Sequence, residues 1–446
     1  MKIQRTTLIT LTPLRKAQDN FVLRFSCVRI FNEKTNNTVF MKLFEEIKKK
    51  AQRLQAEAEE NRRYLHACAE VGFHLPKTRA FVIEKLKSYG YAPKEIGKGA
   101  VLAELGMERK KMGKDGGRYA FILRADMDAL PILEESGEPF SCKTGNMHAC
   151  GHDMHTAILL GAAKLLKGME NKLNRPIKFL FQPAEERLEG AKDAVKAGAL
   201  DGVGFGAALH VLVGMPFKRG TVIMPKAGVG APAADYFTIT VRGKSCHGSA
   251  PQNGVDALTV SARILLGLQE LAARELPTGE GIVLTVGQMQ GGNAPNAIAG
   301  ESKLCGTLRA FDEELRERLK ERLKEISQGI AKTYRASASV RFESGCPTLV
   351  NDKNLREEGL RILKETLGAK SVVDGNALGG DVRQSNGGSE DFAYIAKESP
   401  CVMLALAAGS TKDGFSYPLH HEKVVFDEKC LCYGIAALCA LAVGKE

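Results

Sequence analysis

At 446 residues the chain is too long for one ordinary hydrophobic core, so two domains are expected, one inserted in the other. Its 44% hydrophobic and 26% charged residues are those of a soluble globular protein, and no apolar run approaches the ~18 residues of a membrane helix. The net charge of +11 does not mark a nucleic-acid binder: residues 1–40 hold seven Lys/Arg against two Asp/Glu, and the rest shows no basic stripe interleaved with aromatics.

Residues 1–40 are basic and Thr-rich, and end in the polar stretch Asn32-Glu33-Lys34-Thr35-Asn36-Asn37, which reads as a turn. They lack the apolar core and cleavage site of a signal peptide. Met41 then opens an amphipathic helix that continues to about Tyr64. The expectation is that Met41 is the native start and that residues 1–40 are an upstream extension. The eleven cysteines are irregularly spaced without a CxxC pair, as in a cytoplasmic protein with reduced thiols. Cys401, Cys430, Cys432 and Cys439 sit among apolar residues and are expected in the core.

From Glu70 the pattern alternates between strand and helix. Strands are predicted at 101–105, 119–124, 177–181 and 206–211, and helices from the histidine cluster to about Leu166 and over 186–197. Such alternation implies an α/β layer with a mostly parallel sheet, whose strand ends carry the chemistry. Between 229 and 345 the pattern changes. Strand 236–241, helix 254–274, strands near 282–289 and 301–310, helix 312–334 and strand 338–343 give the order βαββαβ of a self-contained, ferredoxin-like module. Helix 353–367 and strand 401–406 then resume the first pattern. The economical reading is a catalytic domain in two pieces, 41–228 and 346–446, with a smaller domain, 229–345, inserted.

The stretch Met147-His-Ala-Cys-Gly-His-Asp-Met-His-Thr156 packs three of the nine histidines and a cysteine into ten residues. Imidazole and thiolate are the usual ligands of zinc and related ions, and Gly151 between Cys150 and His152 gives the turn its freedom. A second cluster, Phe181-Gln-Pro-Ala-Glu-Glu186, places adjacent acids just after a buried strand. There the two side chains diverge, so one can bind metal while its neighbour takes a proton. Alone, such a pair reads first as a helix start whose acids favour the macrodipole. His210 ends another strand, and His420-His421 sit in a Pro-flanked loop.

In combination these stretches resemble the co-catalytic metallo-amidohydrolases that include hippurate hydrolases, aminoacylases, indole-acetyl-amino-acid hydrolases and carboxypeptidase-G-type peptidases. Besides the two clusters, the matching blocks are Arg124-Ala-Asp-Met-Asp-Ala-Leu-Pro131, Leu209-His-Val211, Gly243-Lys-Ser-Cys-His-Gly-Ser-Ala-Pro251, Gly291-Gly-Asn-Ala-Pro-Asn-Ala-Ile298 and Gly388-Ser-Glu-Asp-Phe392. The resemblance implies a zinc-peptidase-like catalytic domain and an inserted lid or dimerisation domain. It also implies two divalent ions (zinc, manganese, nickel or cobalt) held by Cys150, His152, Glu186, His210 and His420, with Cys150 shared. Glu185 matches the general base, and His420 is preferred to His421 by its place in the motif.

His247 matches a histidine of the inserted domain that serves the active site, often the partner subunit's; its plain alternative is a turn residue before Pro251. Asn296 and Arg309 match positions that contact a substrate carboxylate, although Arg309 could equally pair with Asp312. Asp126, Asp128, Asp153 and His155 are candidates for orienting ligands, with helix capping as the alternative for Asp153. Ser389-Glu390-Asp391 shapes a loop near the site or is a plain helix start. Arg187 after the acid pair either lowers the pKa of Glu185 or points into solvent.

The expected function is hydrolysis of N-acyl amino acids by a homodimer, on a small-molecule substrate, with no nucleic-acid or membrane partner. A dipeptidase, an aminobenzoyl-glutamate hydrolase and an N-acetyl-diaminopimelate hydrolase share the chemistry. From another class comes a cysteine amidase with Cys150 as nucleophile, and a third reading is a homologue that only binds acyl amino acids. Ala297-Ile298-Ala299 departs from the bulkier Ile-Pro that often follows the asparagine motif, which leaves the substrate-side loop open.

Overall fold

The computed structural model describes residues 33–107, 119–276, 281–379 and 388–444, with side chains from Met41 onward. Most of the expected upstream extension, residues 1–32, lies outside the described residues. Helix α1 (Glu33–Arg53) starts well before Met41, where the helix was expected to open. The Thr-Asn-Asn stretch is helical because nothing in it forbids helix; polarity alone does not stop one without Gly or Pro. A break at Leu54 separates α1 from α2 (Gln55–Ala67), where one helix was expected. From Phe44 onward the described residues form one compact unit.

Next come α3 (Pro76–Ser88), β1 (Lys94–Ile96), β2 (Ala100–Leu105), β3 (Ala120–Asp126), α4 (His152–Lys167), β4 (Ile177–Gln182), α5 (Gly190–Lys196), β5 (Val203–Leu212) and β6 (Val222–Met224). With β15 (Val372–Asp374) and β16 (Cys401–Ala407) they form an eight-stranded sheet in the order β1-β2-β4-β3-β5-β16-β6-β15. The pairs β3–β4, β3–β5, β5–β16 and β6–β15 are parallel. Strands β3 and β4 are buried at every residue, as strands covered on both faces must be. Helix α4 is buried at nearly every position, and so is the C-terminal α10 (Leu431–Val443), which packs against it.

A second, antiparallel sheet is built from β8 (Ala233–Arg242), β10 (Ile282–Gly291), β12 (Glu301–Ala310) and β13 (Ser337–Cys346), in the order β10-β12-β8-β13. One face packs on α6 (Ala257–Arg274) and α7 (Glu313–Thr333) through Phe237, Ile239, Ile264, Leu268, Leu304 and Leu319. Asp256 and Asp312 cap these helices by accepting the Leu258 and Leu315 amide protons. The short strands β9 (Cys246–His247) and β11 (Ala297–Ile298) pair beside this sheet. The chain crosses between the sheets at two places, Pro232 after β7 (Gly228–Ala231) and Pro347 before β14 (Leu349–Asn351), and β7 and β14 pair with each other. Helices α8 (Lys353–Leu367) and α9 (Ala393–Glu398) complete the chain order.

The parallel register matters for the chemistry. Asp126 at the end of β3 lies opposite Gln182 at the end of β4, and His210 lies near the end of β5, their neighbour. The carboxyl ends of these adjacent strands therefore deliver Asp126 to Asp128, Glu185-Glu186 and His210 to one edge of the sheet.

Candidate metal centre

Gly151 takes φ +84°, and a Cβ there would come within 2.4 Å of Val211 Cγ2. This turn ends the loop on Cys150 and starts α4 on His152, so both side chains face the sheet edge. After β4, Ala184 and Leu188 adopt positive φ. The expected helix over 186–197 therefore begins only at Gly190, and Glu185-Glu186 sit on a tight turn before it. Asp128 pins that turn: its Oδ1 accepts the Glu185 amide proton at 3.0 Å and its Oδ2 the Glu186 amide proton at 3.3 Å. Asp128 Oδ1 is also 3.4 Å from His152 Nδ1.

Two groups of donors converge around one sulfur. Cys150, His152 and His210 form the first, and Cys150, Glu186 and His420 the second; within each, ligand atoms lie within 4.8 Å of one another. Cys150 Sγ is 3.4 Å from His210 Nε2, and Glu186 Oε1 is 3.5 Å from His420 Nε2 and 3.8 Å from His152 Nε2. Two nitrogen or oxygen donors bound tetrahedrally at the usual zinc distance stand about 3.4 Å apart, which the 3.5 Å between Glu186 Oε1 and His420 Nε2 matches. Among the described residues, the buried His152 Nε2 and Glu186 Oε1 also lack hydrogen-bond partners, which an ion would supply. The residues present fit the metal.

The surroundings fix the tautomers. His210 Nδ1 donates to the Val211 carbonyl at 2.7 Å, which leaves the Nε2 lone pair facing Cys150. His155 Nε2 accepts the Val211 amide proton at 2.9 Å, so its Nδ1 carries the proton donated to Asp126 Oδ1 at 2.6 Å. Both nitrogens of His155 are thus engaged, and it braces the strand end that carries His210. Asp126 is in turn held by Arg124 Nη1 at 2.8 Å.

Arg124 also bonds Gln182, Asp391 and Glu390. Asp391 accepts from Gln182 and from the Ala191 amide, and Glu390 Oε1 accepts from the Phe392 amide. The Ser389-Glu390-Asp391 segment is therefore both a helix lead-in and a wall of the site, where Glu185, Glu390 and Asp391 place carboxylate oxygens within 4.8 Å of one another.

Electrostatics follow from burial and these neighbours. Without an ion, burial, reinforced by Glu390 and Asp391, holds the Glu185 carboxyl well above its usual range. Burial likewise raises Glu186, against the opposing pull of His152 and His420, and pushes the Cys150 thiol up. Burial alone would depress His152, but the Asp126 carboxylate and the Cys150 thiol raise it. His210 is pushed down to about 3 by burial and by His155, which keeps the imidazole neutral and able to ligate. Arg187 is exposed, its guanidinium lies against Gly72, and Glu185 is raised, not lowered.

Other candidates lie elsewhere. His420 joins the cluster, while His421 packs at a tilt against the Tyr417 ring and accepts the Lys423 amide proton. Asp153 neither caps α4 nor touches a ligand: its Oδ2 is held by Arg62 Nε at 2.7 Å and His66 Nδ1 at 2.8 Å, on the far side of the helix. His66 Nε2 in turn meets Glu134 Oε1 at 3.0 Å, and Arg62 meets Glu428. These four partners carry no motif, and nothing in the sequence marked them. His247 and Asn296 come together at the β9–β11 pair, where Gly248 donates its amide proton to the Asn296 carbonyl. Arg309 bonds Ser389 Oγ at 3.1 Å rather than Asp312, which caps α7.

The sequence pattern of peptidase family M20/M25/M40 matches residues 122–443. The chain belongs to this family. As an M20/M25/M40 member it is a hydrolase of amide bonds, and its relatives agree. It is 38% identical over 310 residues to an N-acyl-L-amino acid amidohydrolase of Geobacillus stearothermophilus, covering 69% of this chain and 81% of that one. It is 34% identical to an N-acetyl-L-cysteine deacetylase of Bacillus subtilis, covering 83% of each. Its fold matches a dinuclear metal-binding M20 peptidase of Bacillus subtilis with a TM-score of 0.68 and 27% identity, covering 88% of this chain and 98% of that one.

Proposed function

We propose that the protein hydrolyses N-acyl amino acids to a carboxylate and a free amino acid, using two divalent ions at the Cys150 cluster. The observation that carries this reading is that Cys150 belongs to two donor groups at once while the buried Glu185 carboxylate lies beside them as part of neither. Cys150, His152 and His210 would hold one ion, and Cys150, Glu186 and His420 the other. The mixed S/N/O donors suit zinc, nickel, cobalt or manganese. When bound, such ions supply Lewis acidity and lower the pKa of water.

The chain's own residues do the rest. Asp128 fixes the Glu185-Glu186 turn through two backbone amides, so that Glu186 and Glu185 keep different jobs. Glu185 takes the proton from the attacking water and delivers it to the leaving nitrogen. Asn296 and Arg309 would meet the substrate carboxylate from the second sheet, with residues 229–345 acting as lid and dimerisation domain. His247 Nε2, which has no partner among the described residues, would serve the site of the partner in a homodimer. The free cysteines fit a reducing compartment, consistent with the cytoplasm.

The cysteine-nucleophile reading loses support from Cys150 itself. Burial raises its thiol, whereas a nucleophilic cysteine needs the opposite shift.

The test is hydrolysis of N-acetyl, N-benzoyl and dipeptide substrates by protein refilled with zinc, manganese, nickel or cobalt, with Glu185→Gln alongside. Metal-dependent release of the amino acid, lost by ~10³-fold or more in Glu185→Gln while bound metal is retained, is the expected result. Protein that binds no metal would sink the reading; preferred cleavage of dipeptides would move it to the peptidase alternative.

A further inference from the structure

The turn after β9 closes on its own first side chain. Ala250 donates its amide proton to the His247 carbonyl at 2.9 Å, and Gly248 donates to the Asn296 carbonyl at 2.7 Å. A Cβ at Gly248 would come within 2.8 Å of that same carbonyl oxygen, so the turn lies directly against the asparagine segment. The geometry places Ser249 over the imidazole it follows. The Ser249 amide N–H points at His247 Nδ1 at 3.2 Å, and Ser249 Oγ lies 2.7 Å from the same nitrogen.

A backbone N–H can only donate, so Nδ1 of the neutral ring must be the acceptor. The ring proton then sits on Nε2. We infer that Ser249 is a positioning residue that holds His247 in its Nε2–H tautomer and so presents a fixed hydrogen-bond donor from the β9 turn beside the second sheet. This rests on the reading of His247 as a residue that serves an active site, and it adds what that reading lacks: which nitrogen donates, and why. With the other tautomer the outward nitrogen would be an acceptor, and two acceptors would face each other wherever His247 met a carboxylate or developing oxyanion.

The contact can be tested on the full-length protein. Two-bond proton–nitrogen NMR spectra of histidine-labelled protein, with the His247 signals assigned by difference from His247→Ala, should show the Nε2–H tautomer. Ser249→Ala, which loses the hydroxyl but keeps the backbone amide donor, should keep Nε2–H as the major form while a minor Nδ1–H population appears. In the metal-loaded enzyme, Ser249→Ala should lower kcat about tenfold with KM and metal content nearly unchanged, and Ser249→Thr, which keeps the hydroxyl, should stay within about twofold of wild type. In the His247→Ala background the further change to Ser249→Ala should have no effect on kcat. A wild-type Nδ1–H tautomer, or the same tenfold loss in the His247→Ala background, would overturn the inference. Unchanged kcat in His247→Ala itself would instead overturn the reading of His247, and the tautomer spectra would then judge Ser249 alone.

Discussion

Asp128 grips Glu185 by its backbone: the Glu185 amide proton is accepted by Asp128 Oδ1 at 3.0 Å, and the next amide, that of Glu186, by Oδ2. One fully buried carboxylate thus sets the orientation of both acids without touching either side chain. Asp128→Ala should therefore leave the fold standing and weaken metal binding by about 10–100-fold, as loss of a ligand-orienting partner does. Asp128→Asn, which keeps one acceptor oxygen, should fall between. Metal content after dialysis and kcat on a shared substrate would check this; full metal retention in Asp128→Ala would count against it.

Removal of metal should abolish activity and lower the melting temperature, and both should return when divalent ions are added back. An ion that binds only the folded chain stabilises it by about 2.7 kcal/mol at a hundredfold excess over its Kd. Melting curves with and without a chelator read this directly.

The lock behind the metal loop predicts an alkaline limit. Burial alone would depress His66, but Asp153 and Glu134 outweigh it and raise its pKa from 6.5 to about 9. A raised histidine stabilises the fold fully below its unfolded pKa, and that contribution fades as pH climbs through about 9. It amounts to about 3 kcal/mol. Wild-type stability should fall between pH 7 and 10, and His66→Gln should be less stable at pH 6 and flatter across the same range. Urea unfolding at a series of pH values would decide it.

Gly190 sits where no side chain fits. A Cβ there would lie 1.6 Å from the Pro183 carbonyl oxygen, on the far side of the Glu185-Glu186 turn. Gly190→Ala must move that turn, at about 1–3 kcal/mol in stability and a larger loss in activity. Unfolding midpoints together with kcat would show both.

Much of this molecule could be read from its chain because the decisive contacts are short-range or periodic. Buried strands such as Ile177–Gln182 announce themselves as apolar runs, and Cys150 and His152 are separated by a single glycine. The order βαββαβ followed from alternation alone. What could not be read depends on partners far apart in sequence or on patterns without a face. Arg62 and Glu428 meet across 366 residues, and neither lies in a recognisable motif. Asp153 sits one residue from a candidate ligand yet meets Arg62 and His66 instead, because successive positions on a helix point about 100° apart. The C-terminal helix is apolar on every side, so it has no stripe to find. The turn at Glu185 replaced an expected helix start because Ala184 and Leu188 take a conformation that no side chain advertises.

Because one sulfur belongs to both donor groups, two cations held as proposed would not bind independently. In the empty protein burial keeps the Cys150 thiol protonated. An ion held by Cys150 would require that proton to leave, and the resulting thiolate would serve both donor groups. The midpoint of metal loading should therefore shift to higher metal concentration as the solution is acidified, because protons compete with both cation positions for the one shared sulfur.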